Sequence, residues 1–193
     1  MIKPIIAIVL AALILFGAAW GLKRVGEKNA QAYHIELMQT LLPGSDSFTV
    51  EPYDGEDANI RSVHKAENGF VIETVTYGYA GEITMLIGVN NDGKVTGLVV
   101  KDAHETPGLG NNALTDHVFL SQFLNGEGEF SVATAGADAF SGATGESAAD
   151  ASEVDAITGA TVTSKAVVRC VNSATAYVTG ADVSSSATEE WGG

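Results

Sequence analysis

The sequence has one cysteine, Cys170. A single thiol cannot close an internal disulfide or hold an iron–sulfur cluster, so redox chemistry in this chain needs a bound cofactor. Cationic charge is also scarce: ten Lys and Arg stand against 24 Asp and Glu, a formal net charge of −14. Without a basic patch to neutralise phosphates, nucleic acid is excluded as a partner. No lysine or arginine lies between Asp102 and Ser164. A loosely held anion finds little Coulombic help there, and a covalently held one does not need it. His34, His64 and His117 are too scattered to suggest a metal site, and no nucleophile–base–acid set of the hydrolytic kind is readable.

Glycine, by contrast, is abundant at 22 residues, which implies many turns and close backbone approaches. Apolar residues are concentrated at the amino end. Residues 4–22 carry no charge and are long enough to cross a bilayer as a helix. Lys3 precedes them, and Lys23 and Arg24 follow. Residues 1–24 read as a retained membrane anchor. A cleaved secretory signal is the alternative, with Gly17 and Ala19 as small residues at a cleavage site. Residues 25–58 are expected to form a stalk and lead-in segment, helical over 26–42 until Pro43 and Gly44 stop it.

Residues 59–179 form the expected main domain. Runs rich in Val, Ile and Thr at 69–77, 82–89 and 94–100 read as strands, with a shorter one at 60–65. Asn91-Asp92-Gly93 is a hairpin turn between the last two long strands. The pattern is an antiparallel meander. A loop is expected over 101–112 and a short helix over 114–124. Residues 126–153 are small and acidic and read as a surface excursion. A helix is expected over 164–178, with Val167, Val168, Val171, Ala174 and Val178 on its apolar stripe and Gly180 as its stop. Cys170 is expected to be a small buried apolar residue in that helix. Residues 180–193 read as a flexible tail. The fold class is α+β: a transmembrane helix followed by a domain with an antiparallel sheet and flanking helices.

The strongest local signal is DAITGATVTS, residues 155–164, which runs directly into the last helix. Exposed N–H groups at such a junction can hold a phosphate. Gly159 permits a tight turn, and Ala160 keeps the approach open. Thr161, Thr163 and Ser164 offer hydroxyls. An ordinary capped helix start has the same composition. A second stretch, DAFSGAT, ends at Thr144. It has Glu146 where the first has a downstream hydroxyl, and no apolar helix follows it. Without a helix start, a phosphate there loses the N–H cradle and the favourable dipole.

The stretch ending at Ser164 resembles the flavinylation motif of the FMN-binding domain family, Asp-x-x-(Ser/Thr)-Gly-Ala-Thr-x-(Ser/Thr). That family includes the G subunit of the Rnf ion-translocating oxidoreductase and the C subunit of the sodium-translocating NADH:quinone reductase. The resemblance implies that Thr161 carries flavin mononucleotide (FMN) as a phosphoester, installed by a flavin transferase from FAD. Asp155, Thr158, Gly159, Ala160, Thr163 and Ser164 match the surrounding motif positions. HETPGLG, residues 104–110, resembles the family's flavin-approaching loop, shortened by one residue after His104. On that basis Glu105, Thr106, Pro107, Gly108, Leu109 and Gly110 are expected flavin neighbours. The segment GYAGEI, 78–83, resembles a further family segment and adds Tyr79, for which packing at a sheet edge is the alternative role.

The resemblance implies an electron-transfer subunit of an Rnf-type ferredoxin:NAD oxidoreductase, with covalent FMN as cofactor and other membrane subunits as partners. It places a single-pass chain in the cytoplasmic membrane with its flavin domain on the extracytoplasmic side. Such a protein is a relay without complete activity alone. A stand-alone covalent-flavin carrier and a non-redox anchored binding domain are the alternative functions.

Overall fold

The computed structural model describes residues 32–133 and 152–181. The chain divides into two units, residues 1–37 and 38–193. The second unit carries the sheet and every candidate site residue. The expected anchor, Thr144 and the tail beyond Ala181 lie outside the described residues. No helix among the described residues is long and apolar enough to cross a membrane. The first described helix, α1, covers residues 32–41.

The β-branched runs build one five-stranded sheet. Its strands are β1 (Thr49–Glu51), β2 (Ile60–Ala66), β3 (Gly69–Tyr77), β4 (Glu82–Asn90) and β5 (Val95–Ala103). They pair in sequence order, each antiparallel to its neighbour. The connections are too short for parallel crossovers, so a meander is the only topology they allow. At the β4–β5 turn Gly93 has φ +84°. The Asn90 side-chain oxygen accepts from the N–H groups of Asp92 and Lys94 at 3.0 and 2.8 Å. This is the hairpin expected from Asn91-Asp92-Gly93.

The last helix, α4 (Thr161–Thr179), lies against β3 and β4. Val167, Cys170, Val171 and Ala174 share a core with Ile72, Ile83, Met85 and Ile87, all buried. Gly180 ends the helix in the left-handed region at φ +70° and donates its N–H to Ala176 O at 2.8 Å, an αL stop that glycine adopts without a Cβ clash. On the alternate face of the sheet, Gly88 and Gly97 are cross-strand partners. A Cβ at either would collide with the backbone of Leu41. The two bare positions let Leu41 lie directly on the strands, where its carbonyl accepts from Thr96 Oγ1 at 2.6 Å.

The loop expected over 101–112 is shorter, since β5 runs to Ala103 and a helix begins at Gly110, and three further expectations change. First, α4 starts at Thr161, three residues before the expected start, because the tight turn at Gly159 already aligns the backbone. Second, the single helix expected over 114–124 is two, α2 (Gly110–Thr115) and α3 (His117–Ser121). Asp116 separates them: its backbone is extended, and its carboxylate accepts from Val118 N and Phe119 N at 2.8 and 2.9 Å. That N-cap begins a new helix instead of continuing the old one. Third, the expected surface excursion contains structure at both ends. β6 (Phe130–Ala133) pairs in parallel with β7 (Ser152–Asp155). Phe130 and Val154 are only 2% and 1% exposed.

The β6 contact explains why α4 buries polar residues. Asn172 Oδ1 accepts from Phe130 N and Asn172 Nδ2 donates to Phe130 O, both at 2.9 Å. Thr175 Oγ1 donates to Gly128 O at 3.0 Å. One face of α4 packs on the sheet, and these side chains satisfy the backbone of the segment covering another.

Candidate functional site

β7 delivers the chain to the start of α4. Gln122 holds its last residue at both backbone groups: Asp155 N donates to Gln122 Oε1 at 2.8 Å, and Gln122 Nε2 reaches Asp155 O at 3.4 Å. Residues 156–160 then make a tight turn, in which Ala160 N donates to Ile157 O at 2.9 Å. Gly159 has φ +80°, and among the described residues no atom beyond its chain neighbours lies within 4 Å of where its Cβ would stand. Glycine is needed there for backbone conformation, and the space beside it is open.

Ser164 closes the turn from inside. Its hydroxyl donates to Ala160 O at 3.0 Å and accepts from Ile157 N at 3.2 Å. Ser164 and Thr163 are both fully buried. Neither is therefore a surface hydroxyl in this structure, and that of Ser164 is already committed. Ala160, the N-cap residue, offers no side-chain acceptor to the first turn. The N–H end of a 19-residue helix thus has no side-chain cap among the described residues. Thr161 stands at its first position, half-buried, with Thr158, Gly159 and Asp155 exposed beside it.

The 104–110 loop forms a compact turn. Leu109 N and Asn111 N both donate to Thr106 O, at 3.2 and 3.3 Å. Pro107, Gly108 and Leu109 are exposed, and Thr106 is half-buried. Gly108 takes φ +79°. Tyr79 sits in the β3–β4 turn with 71% of its surface exposed. That turn closes through Gly78 N to Gly81 O at 2.9 Å. Arg169 of α4 fastens it by donating to Tyr77 O at 2.9 Å.

Glu105 joins these pieces. Its Oε1 accepts from Ala80 N at 3.2 Å. A Cβ at Gly78 would strike Oε1, and a Cβ at Gly110 would strike Oε2 while coming 2.6 Å from Thr163 Oγ1. Gly78 and Gly110 are bare because this carboxylate and the Thr163 hydroxyl fill their side-chain space. Gly110 is buried, so it admits internal side chains. The structure brings the three sequence segments together through Glu105, Gly78, Gly110 and Thr163.

Sequence reading did not single out Gln122, Arg169 or Asn172. Each bonds backbone groups far along the chain, and no local pattern marks such a role. Among the described residues no cluster of His, Cys, Asp and Glu suits a metal ion. The arrangement does suit an anionic group at the start of α4. The uncapped amides and the positive end of the helix dipole favour negative charge, and the Gly159 turn leaves space for it. Exposed Tyr79, Pro107 and Leu109 offer apolar and aromatic surface on the two turns that Glu105 connects.

Residues 78–176 match the model of the FMN-binding domain family. The G subunit of the ion-translocating oxidoreductase complex of Erwinia tasmaniensis is 36% identical over 114 residues, covering 54% of this chain and 46% of that protein. The G subunit of the Na(+)-translocating ferredoxin:NAD(+) oxidoreductase complex of Acetobacterium woodii is 46% identical over 46 residues, covering 23% of this chain and 22% of that protein. The chain thus spans about half or less of the length of these relatives. Among solved structures, the C subunit of the Na(+)-translocating NADH-quinone reductase from Parabacteroides distasonis has a similar fold. The TM-score is 0.50 at 21% identity, covering 69% of this chain and 76% of that one.

Proposed function

The chain belongs to the FMN-binding domain family, and from that premise we propose that it is a membrane-anchored electron-transfer protein of a larger complex, with FMN held as a phosphoester on Thr161. The observation that carries this reading is the position of the motif threonine. Thr161 is the first residue of α4, at a helix start with no side-chain cap, beside the open turn at Gly159.

Thr161 Oγ supplies the covalent link to phosphorus. The amides of the first turn and the helix dipole stabilise the phosphate charge, and exposed Lys165, one turn further along the same face of α4, is the nearest cation in sequence. Thr106, Pro107 and Leu109 of the loop, with Tyr79, supply the surface for the ring system. When bound, FMN supplies one- and two-electron redox chemistry. The chain binds it, orients it and keeps it from leaving.

The names of the Erwinia and Acetobacterium relatives support a place in an Rnf-type ion-translocating oxidoreductase. In this reading the partners are the other membrane subunits, with a flavin transferase acting during maturation. Residues 1–24 hold the domain to the cytoplasmic membrane, on its extracytoplasmic side. The test is production of Thr161→Val and Thr144→Val beside the transferase. On a denaturing gel the Thr161→Val band loses flavin fluorescence, and the Thr144→Val band keeps it. Fluorescence retained by Thr161→Val overturns the assignment.

A further inference from the structure

Four buried side-chain oxygens among the described residues lack a hydrogen-bond partner: Asp57 Oδ2, Thr74 Oγ1, Glu105 Oε2 and Thr163 Oγ1. Thr74 has the Cys170 thiol as a polar neighbour. The last two press against the same residue, Gly110, from opposite elements. One is a carboxylate oxygen, which can only accept, and the other is a hydroxyl with a proton to give and a freely rotating O–H. A buried oxygen left without a partner is costly, and both oxygens converge on the side-chain space of Gly110, where a Cβ would strike Glu105 Oε2 and stand 2.6 Å from Thr163 Oγ1.

We propose that the Thr163 hydroxyl donates to Glu105 Oε2, forming a buried latch that sets the 104–110 loop against the start of α4. Glu105 and Thr163 are then positioning residues and not flavin contacts. The carboxylate already binds the β3–β4 turn through Ala80 N at 3.2 Å. The second oxygen extends that hold to α4, two residues from Thr161. Rotation of the Thr163 hydroxyl and a small side-chain shift complete the bond. The latch fixes the spacing between the phosphate anchor and the surface offered by Thr106, Pro107 and Leu109. This last step rests on the covalent-FMN reading, whereas the bond itself does not.

The bond and its consequence are tested separately. The first comparison uses the unflavinylated full chain and measures Tm for Thr163→Val, Glu105→Met, the double variant and Thr163→Ser. Valine matches threonine in shape, so the fold has no steric reason to fail. If the latch exists, Thr163→Val lowers Tm because it strands Glu105 Oε2. The loss vanishes in the Glu105→Met background, and Thr163→Ser retains most of the stability. If Thr163 is an isolated buried hydroxyl, valine is neutral or stabilising in both backgrounds, and the proposal fails.

The second comparison uses chain whose flavin attachment has been verified by mass. Where Thr163→Val carries the FMN mass, its visible circular dichroism, which reports ring placement, differs from that of the parent, and Thr163→Ser restores it; where Thr163→Val is not modified, Glu105→Met, which lies outside the attachment motif, carries the same prediction. An unchanged spectrum overturns the positioning role even where the Tm result stands. Absence of flavin from the wild-type chain refutes the covalent reading and leaves the Tm test of the bond decisive.

Discussion

At the scale of single residues, the site depends on what is missing as much as on what is present. Gly110 has no Cβ because Glu105 Oε2 and Thr163 Oγ1 occupy its place. Gly110→Ala therefore lowers stability by about 2 kcal/mol, the ordinary effect of overpacking, measured by urea unfolding. An equal midpoint for variant and parent contradicts that packing. Cys170 gives a second residue-scale expectation. Burial pushes its thiol up to about 12 from 9.0, against smaller lowering by the Thr74 hydroxyl and Arg169. The folded state keeps the proton longer than the unfolded chain does. This contribution is fully present below about pH 9 and is lost as pH rises towards 12, at about 1.4 kcal/mol per pH unit for one proton. Cys170→Ala then shows a shallower loss of stability over that interval. The native thiol also resists alkylation until denaturant is added, and rapid labelling of folded protein contradicts the burial.

At the scale of elements, α4 is the organiser. It carries Thr161 at one end, packs on the sheet along its length, and holds β6 through Asn172. Asn172→Ala strands both backbone groups of Phe130 in a buried setting and costs about 3 kcal/mol. Thermal unfolding checks it, and a change under about 0.5 kcal/mol contradicts the bridging role. The same element shows what the sequence made legible. Runs rich in Val, Ile and Thr and the Asn91-Asp92-Gly93 turn revealed the meander, since strand and hairpin signals are local. The apolar stripe revealed α4. Its start was displaced because hydroxyl-rich residues suit both turns and helix ends, and only the Gly159 backbone decides between them. The β6–β7 pair was illegible for a different reason. Its strands are four residues each and pair across a long separation, so neither carries a periodic signal of its own. In the candidate site, the motif spacing pointed to Thr161 and to the 104–110 loop. It did not reveal that Glu105 and Thr163 turn inward, which depends on the meeting of distant segments.

At the scale of the whole molecule, antiparallel sheet, covering helix and exposed turns make a small platform that presents one helix start and two turns on a common framework. With a single cysteine in the sequence, it is built without an internal disulfide or a cysteine-held iron–sulfur centre. The functional reading adds a covalent flavin to that platform and a membrane anchor to its amino end. The central claim is the bond at Thr161. The most direct test is intact mass followed by peptide mapping on full chain produced beside an active flavin transferase. A covalent phosphoester predicts one added FMN moiety, located on the peptide that contains Thr161. An unmodified chain, obtained while a control substrate is flavinylated in the same cells, contradicts it.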